Sequence, residues 1–448
     1  PFLLGLVYRV TGPSDVFGRL LIVGFGILAI VVVFVLGTAL LDSRAGAAAA
    51  VLLVLSSGFT RHAARIFVDV PGMALPMAAI TATYLLWRNG RLHRAAYVVV
   101  PLLAMAGTYV RFGAPATLAS GLVAIVIVLA PQHWRTRRRE FVAEVLALAA
   151  SVGLATGLVL LVPWFTSQPV SPLRAQQAFR DAKGVPMLDS VADLVAITWP
   201  DGERQDFFHP LVVWVIVTLV SIAVVASFRI AVIRRAVMFG AIGGVATVVA
   251  LNVNLSLIAP QYLVLSAPFL VIVAGAGFTV VADAASRVGR PAQAALALVL
   301  VAGGLYAAVG LHRGVQDETA RLTRAFTPLR DTGFLIRSFG NDDCVVLTGT
   351  APQIGWYSGC RMSTWGPVEL DRPLEEIRYR TDWHDPPKTV YVVDVLAGKR
   401  EPSSDVFDAN TEHLTLVGEA GTPDDGPRRY LRIFEVDECV LTGSCPAG

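Results

Sequence analysis

Charge is scarce in this sequence and cysteine scarcer, and the two shortages fall in different parts of the chain. Only 16% of the 448 residues are charged while 54% are hydrophobic, and the mean hydropathy is +0.61. That balance excludes the roughly three soluble domains that such a length would otherwise allow. The formal net charge of +3 is too small to argue for a nucleic-acid partner, and the arginines cluster at the ends of apolar runs instead of forming a basic stripe with aromatics. A Gly-rich nucleotide loop, an HExxH pair and a Ser/His/Asp arrangement are all missing. The chain opens at Pro1 without Met, and Pro1 to Val10 has neither a basic n-region nor a cleavage site, so a piece is expected upstream. The 4 cysteines all lie beyond residue 340. Pairing Cys344 with Cys360 and Cys439 with Cys445 suits a C-terminal region in an oxidising compartment. Four buried free thiols are the alternative, and CxxC metal knuckles are absent.

Long apolar runs supply what charge does not. Counting runs of roughly 17 to 25 residues as membrane spans gives ten candidates, near 20–41, 45–60, 71–87, 95–111, 113–130, 141–165, 210–228, 237–258, 261–282 and 293–311. The second is short and Ala-rich, and almost nothing separates the fourth from the fifth. Alternate connections carry Arg44; Arg88, Arg91 and Arg94; Arg135, Arg137, Arg138 and Arg139; Arg229, Arg234 and Arg235; and Arg287 and Arg290. The positive-inside rule makes those connections cytoplasmic. The opposite loops and the C-terminal tail are then extracytoplasmic, and Asp69 faces outward.

Residues 1–19 mix Phe2, Leu3, Leu4 and Leu6 with Arg9, Asp15 and Arg19, as in a helix lying along the outer interface. The loop from Thr166 to His209 is long and polar, and loops of that length are usually functional or disordered. From about residue 312 the composition turns soluble. Leu322, Phe326, Leu329 and Leu335 predict a helical face; Cys344 to Leu347 and Thr389 to Val395 read as strands; Leu414 to Glu419 and Arg429 to Val436 read as a hairpin across a Pro-Asp-Asp-Gly turn at 423–426. The expected fold class is an all-α polytopic membrane bundle over 1–311, with a small extracytoplasmic α/β domain over 312–448.

A carboxylate wedged between two spans is costly unless it faces a wet cavity, a cation or a partner. Asp69, in Arg65-Ile-Phe-Val-Asp69-Val-Pro71-Gly72, is therefore the leading site candidate. It either stabilises the helix N-terminus that Pro71 opens or belongs to an outward metal or phosphate site with Arg61, His62 and Arg65. Asp69 and His62 are candidate ligands for a divalent cation, magnesium or manganese, though two residues fall far short of a full ligand set. Arg111, at the outer end of the fourth span, either snorkels to headgroups or clamps a phosphate, with Arg65 as its companion. Gln261 and Tyr262 open the ninth span, and Trp164, Trp199 and His209 border the long loop; belt residues and cleft residues are both open readings. Glu140 and Glu144 carry no proton-relay signal, and the sequon at Asn254 abuts the membrane.

The stretches Pro1 to Asp15, Arg19, Leu41-Asp-Ser-Arg44 with the alanines after it, Asp69-Val-Pro and Pro260-Gln-Tyr-Leu-Val-Leu-Ser-Ala-Pro268 together resemble the multi-spanning GT-C glycosyltransferases. That superfamily includes the protein O-mannosyltransferases and the aminoarabinose lipid A transferases of the family 39 type, and the resemblance covers about residues 1–311. It implies a cell-envelope enzyme that takes a sugar from a polyprenyl-phosphate carrier, inverts the anomeric carbon and passes the sugar to a protein, lipid or glycan acceptor at the outer membrane face. A nucleotide sugar is not available outside the cytoplasm, which agrees with a lipid-borne donor. By the same resemblance the main catalytic carboxylate lies in a segment that would precede Pro1. Asp69 then matches a second aspartate associated with metal or donor phosphate, and Arg111 stands where relatives commonly carry Lys. Arg65, Arg111 and Tyr262 become donor-phosphate candidates, while Gln261 replaces the usual Arg. A lipid-linked substrate transporter or flippase should show mid-membrane charges or repeats, neither of which is seen. A non-catalytic cell-envelope-binding scaffold remains as a further alternative.

Overall fold

Runs of Leu, Val, Ile and Ala too long to be strands, and with few charges, bury their backbone polar groups only by closing them into helices. The computed structural model describes residues 10, 15–56, 59–60, 63, 69–111, 113–165, 210–255, 265–340, 343–348, 354, 357–364, 389–395, 413–420 and 431–439. The chain divides into two compact units, Pro1–Val315 and Gln316–Gly448.

The first unit contains α1 (Asp15–Leu40), α2 (Ser43–Leu55), α3 (Asp69–Trp87), α4 (Ala96–Val110), α5 (Ala114–Phe165), α6 (Pro210–Ser227), α7 (Ala231–Leu255), α8 (Ala267–Val288) and the first part of α9 (Arg290–Ser338). Among the described residues six helices are long and apolar enough to cross a membrane, and α2, α4 and α6 are shorter apolar helices. The ten expected spans thus map onto these helices with three differences. The second ends at Leu55, where Ser56 turns extended, so α2 has 13 residues and reaches about 20 Å. The fourth is likewise only 15 residues long. The fifth and sixth are not separated by a loop: they are the two arms of a 52-residue helix broken only at Arg137, whose φ of −155° and ψ of 49° leave the helical region. The intervening Gln, Arg, Trp and Glu are adequate helix formers and no glycine interrupts them. Of the segment expected along the interface, residues 15–19 already belong to α1, and most of the remainder lies outside the described residues.

Position in the bundle follows composition. In α3, DVPGMALPMAAITATYLLW, apolar or small residues occupy nearly every face, as a helix surrounded by others requires, and 78% of its span is buried. The span of α1 is 39% buried and that of α9 only 6%, and their exposed Val31, Phe34, Leu298 and Leu305 suit a lipid-facing belt. Close approach is bought at small residues: a Cβ on Gly277 of α8 would run into the Leu219 carbonyl of α6.

In the second unit five strands, β1 (Cys344–Thr348), β2 (Arg361–Thr364), β3 (Thr389–Val395), β4 (Leu414–Ala420) and β5 (Leu431–Val436), form one sheet in the order β2-β1-β3-β5-β4. β1 pairs in parallel with β2 and β3, whereas β5 is antiparallel to β3 and β4. Cys344 and Cys360 are bridged, one register step before Val345 and Arg361, so the disulfide staples a parallel pair at its start. Alternation sorts the faces. Val346, Tyr391, Val393, Leu431 and Ile433 share a core with Leu329 and Ile336 of α9, while Val345, Leu347, Val390, Val392 and Phe434 form the other face. The β4–β5 hairpin matches the sequence reading; its turn at 423–426 lies outside the described residues.

Candidate functional site

Asp69 begins α3 and Arg111 caps the C-terminus of α4, with its backbone N–H donating to Gly107 at 2.9 Å. An acid at a helix N-terminus and a base at a helix C-terminus are each favoured by their own helix dipole. Here the two ends meet. The Arg111 guanidinium forms an ion pair with the Asp69 carboxylate, and the side chains are 9% and 3% exposed. What lets them meet is Gly72, one turn into α3: a Cβ there would lie 2.8 Å from both Cβ and Cδ of Arg111. The glycine leaves a groove for the arginine stem. On the other side a Cβ on Gly113 would lie 3.0 Å from Leu265 and 3.1 Å from Leu251, so the ends of α7 and α8 close over the same corner. Further along α5 the buried Thr117 hydroxyl has no hydrogen-bond partner among the described residues.

Of the residues singled out from the sequence, the structure therefore brings Asp69 and Arg111 into direct contact. Arg61, His62, Arg65, Trp199, His209, Gln261, Tyr262 and Cys445 lie outside the described residues. Cys439 is disulfide-bonded. The Asp69 carboxylate faces a guanidinium, and His62, the other candidate cation ligand, lies outside the described residues. The one group of three metal-capable side chains among the described residues is His413, Asp437 and Cys439, with ligand atoms within 4.8 Å of one another. The Cys439 sulfur is consumed by its disulfide, which leaves two donors.

A second charge cluster sits at the far end of the same helix. Asp69 is the first residue of α3 and Trp87 the last of its 19 residues, about 27 Å apart along the axis. Trp87 Nε1 donates to Glu144 at 2.8 Å. Arg137, at the break in α5, donates through two nitrogens to the two oxygens of Glu144, both at 3.0 Å, and also to the Gly90 carbonyl. His133 packs beside Trp87 and Phe141, with ring centroids 6.4 and 5.4 Å away. Arg137 Nε lies 3.5 Å from His133 Nδ1, and because arginine only donates, Nδ1 must be the acceptor. Sequence reading used Arg137 only as a topology marker and passed over Trp87 and His133. The available signal was the spacing of Arg137 and Glu144, two helical turns apart on one face.

No family model matches the sequence, and no curated protein does. Solved structures do match. ArnT from Cupriavidus metallidurans bound to undecaprenyl phosphate superposes with a TM-score of 0.55 at 15% identity, over 99% of this chain and 87% of that one. Its apo state gives 0.51 at the same identity and coverage. The archaeal oligosaccharyltransferase AglB from Archaeoglobus fulgidus, in complex with an inhibitory peptide and a dolichol-phosphate, gives 0.51 at 11% identity over 87% of this chain. The fold is shared with ArnT and with AglB. This chain corresponds to only 60% of the length of the AglB chain, and at these identities the likeness is one of fold.

Proposed function

We propose that this chain is a membrane glycosyltransferase that moves a sugar from a polyprenyl-phosphate donor to an acceptor at the outer membrane face, with its C-terminal unit on that same side. The observation that carries this reading is the buried Asp69–Arg111 pair within a fold shared with proteins whose structures hold undecaprenyl phosphate and dolichol-phosphate. A guanidinium in a poorly solvated corner, held by a carboxylate, is preorganised to meet a lipid phosphate.

In the proposed reaction an acceptor hydroxyl oxygen attacks the anomeric carbon. The bond from that carbon to the donor phosphate oxygen breaks, and its electron pair leaves with the phosphate. Arg111 stabilises the charge that develops there, and such preorganised charge is usually the largest catalytic term. Asp69 keeps the guanidinium at the corner, so it is a positioning residue; the acceptor proton passes to a separate base.

The test is to place the purified full-length protein in nanodiscs with a panel of radiolabelled polyprenyl-phosphate sugars and candidate acceptors. Label recovered covalently on an acceptor supports transfer, with Arg111→Gln slowing the rate by about 10²–10³. In proteoliposomes, label that crosses the bilayer still attached to lipid would instead identify a transporter. Label that neither moves nor transfers would leave a binding scaffold.

A further inference from the structure

Residues 88–94 and the break in α5 form one surface, because three contacts stitch them together. Trp87 Nε1 reaches Glu144 at 2.8 Å, Arg137 reaches the Gly90 carbonyl, and Arg91 Nε lies 3.3 Å from Glu140. Segments 88–94 and 134–144 carry the arginines at 88, 91, 94, 135, 137, 138 and 139 against only Glu140 and Glu144. Their charges are not equivalent. Arg137 turns inward, its side chain 15% exposed, and is neutralised by the equally sheltered Glu144. Glu140, half exposed, is shared by Arg91 and Arg137, each at 3.3 Å. Arg88, Arg94, Arg135, Arg138 and Arg139 are exposed, and among the described residues none of them pairs with a carboxylate. The buried bracket thus consumes one arginine, partly screens another and holds five outward.

We propose that this face binds the headgroup of an anionic glycerophospholipid. Two features favour a lipid over an acidic protein or nucleic acid. Arg88 directly follows the last residue of a membrane-length helix, so the patch lies where headgroups are. Trp134 is 46% exposed beside it, and Arg138 Cζ lies 4.3 Å above its ring. Tryptophan is enriched at headgroup depth, and a guanidinium laid on its face keeps further N–H donors free for phosphate oxygens. The site is separate from the Asp69–Arg111 corner, and it stands whether or not transferase activity is found.

Electron paramagnetic resonance of spin-labelled phosphatidylglycerol and phosphatidylcholine in vesicles holding the full chain tests this directly. The wild-type protein should immobilise phosphatidylglycerol in at least about fivefold preference, and the preference should fall as salt rises. R135Q/R138Q/R139Q should bring it close to the phosphatidylcholine level, while R287Q/R290Q, at another cytoplasmic end, should leave it in place. Equal immobilisation of the two lipids by the wild type, or an equal loss from both variants, would overturn the proposal. So would a triple variant that folds and keeps its preference.

Discussion

Asp69 and Arg111 each satisfy a helix terminus as well as one another. The energetics of this pair set the first prediction. Removing one partner of a buried ion pair leaves a lone charge and costs about 3–5 kcal/mol, whereas removing both costs far less. Asp69→Asn and Arg111→Gln should therefore each lower the thermal midpoint more than the double variant D69N/R111Q does, and strictly additive losses would show the side chains uncoupled. Because the Asp69 carboxylate is 3% exposed and faces a guanidinium, Asp69→Asn should lower stability as well as transfer. Transfer should stay slowed by about 10²–10³ in the double variant even where stability returns. At this scale Asp69 and Arg111 were legible, because a charge beside an apolar run is conspicuous. Gly72 was not, because its use is a groove for a side chain that arrives from another helix.

The elements that carry the Asp69–Arg111 corner are braced at their opposite end. Glu144 accepts from both Arg137 and Trp87, tying the end of α3 to the break in α5. Glu144→Ala would strand Arg137 in a sheltered site and should destabilise by about 3–5 kcal/mol. Trp87→Phe keeps most of the ring packing and removes one hydrogen bond to a charged group, worth about 1.5–3 kcal/mol. Chemical unfolding in detergent should rank the two in that order, and equal losses would mean that packing of Trp87 against Phe141, 5.1 Å between centroids, dominates. The existence and order of the helices could be read from apolar runs, and four of the five strands from apolar and alternating runs; β2 was not. The continuity of α5 could not, because four arginines in five positions read as a loop until one of them is seen folded inward.

For the whole molecule, the prediction concerns sidedness. The proposed orientation has residues 134–140 inside and the C-terminal unit outside. In intact cells a membrane-impermeant maleimide should label Thr415→Cys, exposed on β4, but reach Arg139→Cys, exposed at the α5 break, only after permeabilisation. Native thiols should not interfere, since among the described residues every cysteine is in a disulfide. The converse labelling would invert the orientation and move the Asp69 corner to the cytoplasmic face.

Composition by itself determined that most of this chain is a helical membrane bundle, because apolar runs of this length have no other way to satisfy their backbone. Local pattern likewise determined the β4–β5 hairpin and strands β1 and β3, since alternation and turn chemistry are short-range, whereas β2 and the parallel pairing emerged only in the fold. Tertiary structure alone decided which charges meet: that Arg111 spends its charge on Asp69, that Arg137 leaves its neighbours and binds Glu144, and that α3 lies deepest. Those outcomes depend on how closely two helices approach, which a glycine on one permits and a side chain on the other exploits, and no single stretch of sequence contains both.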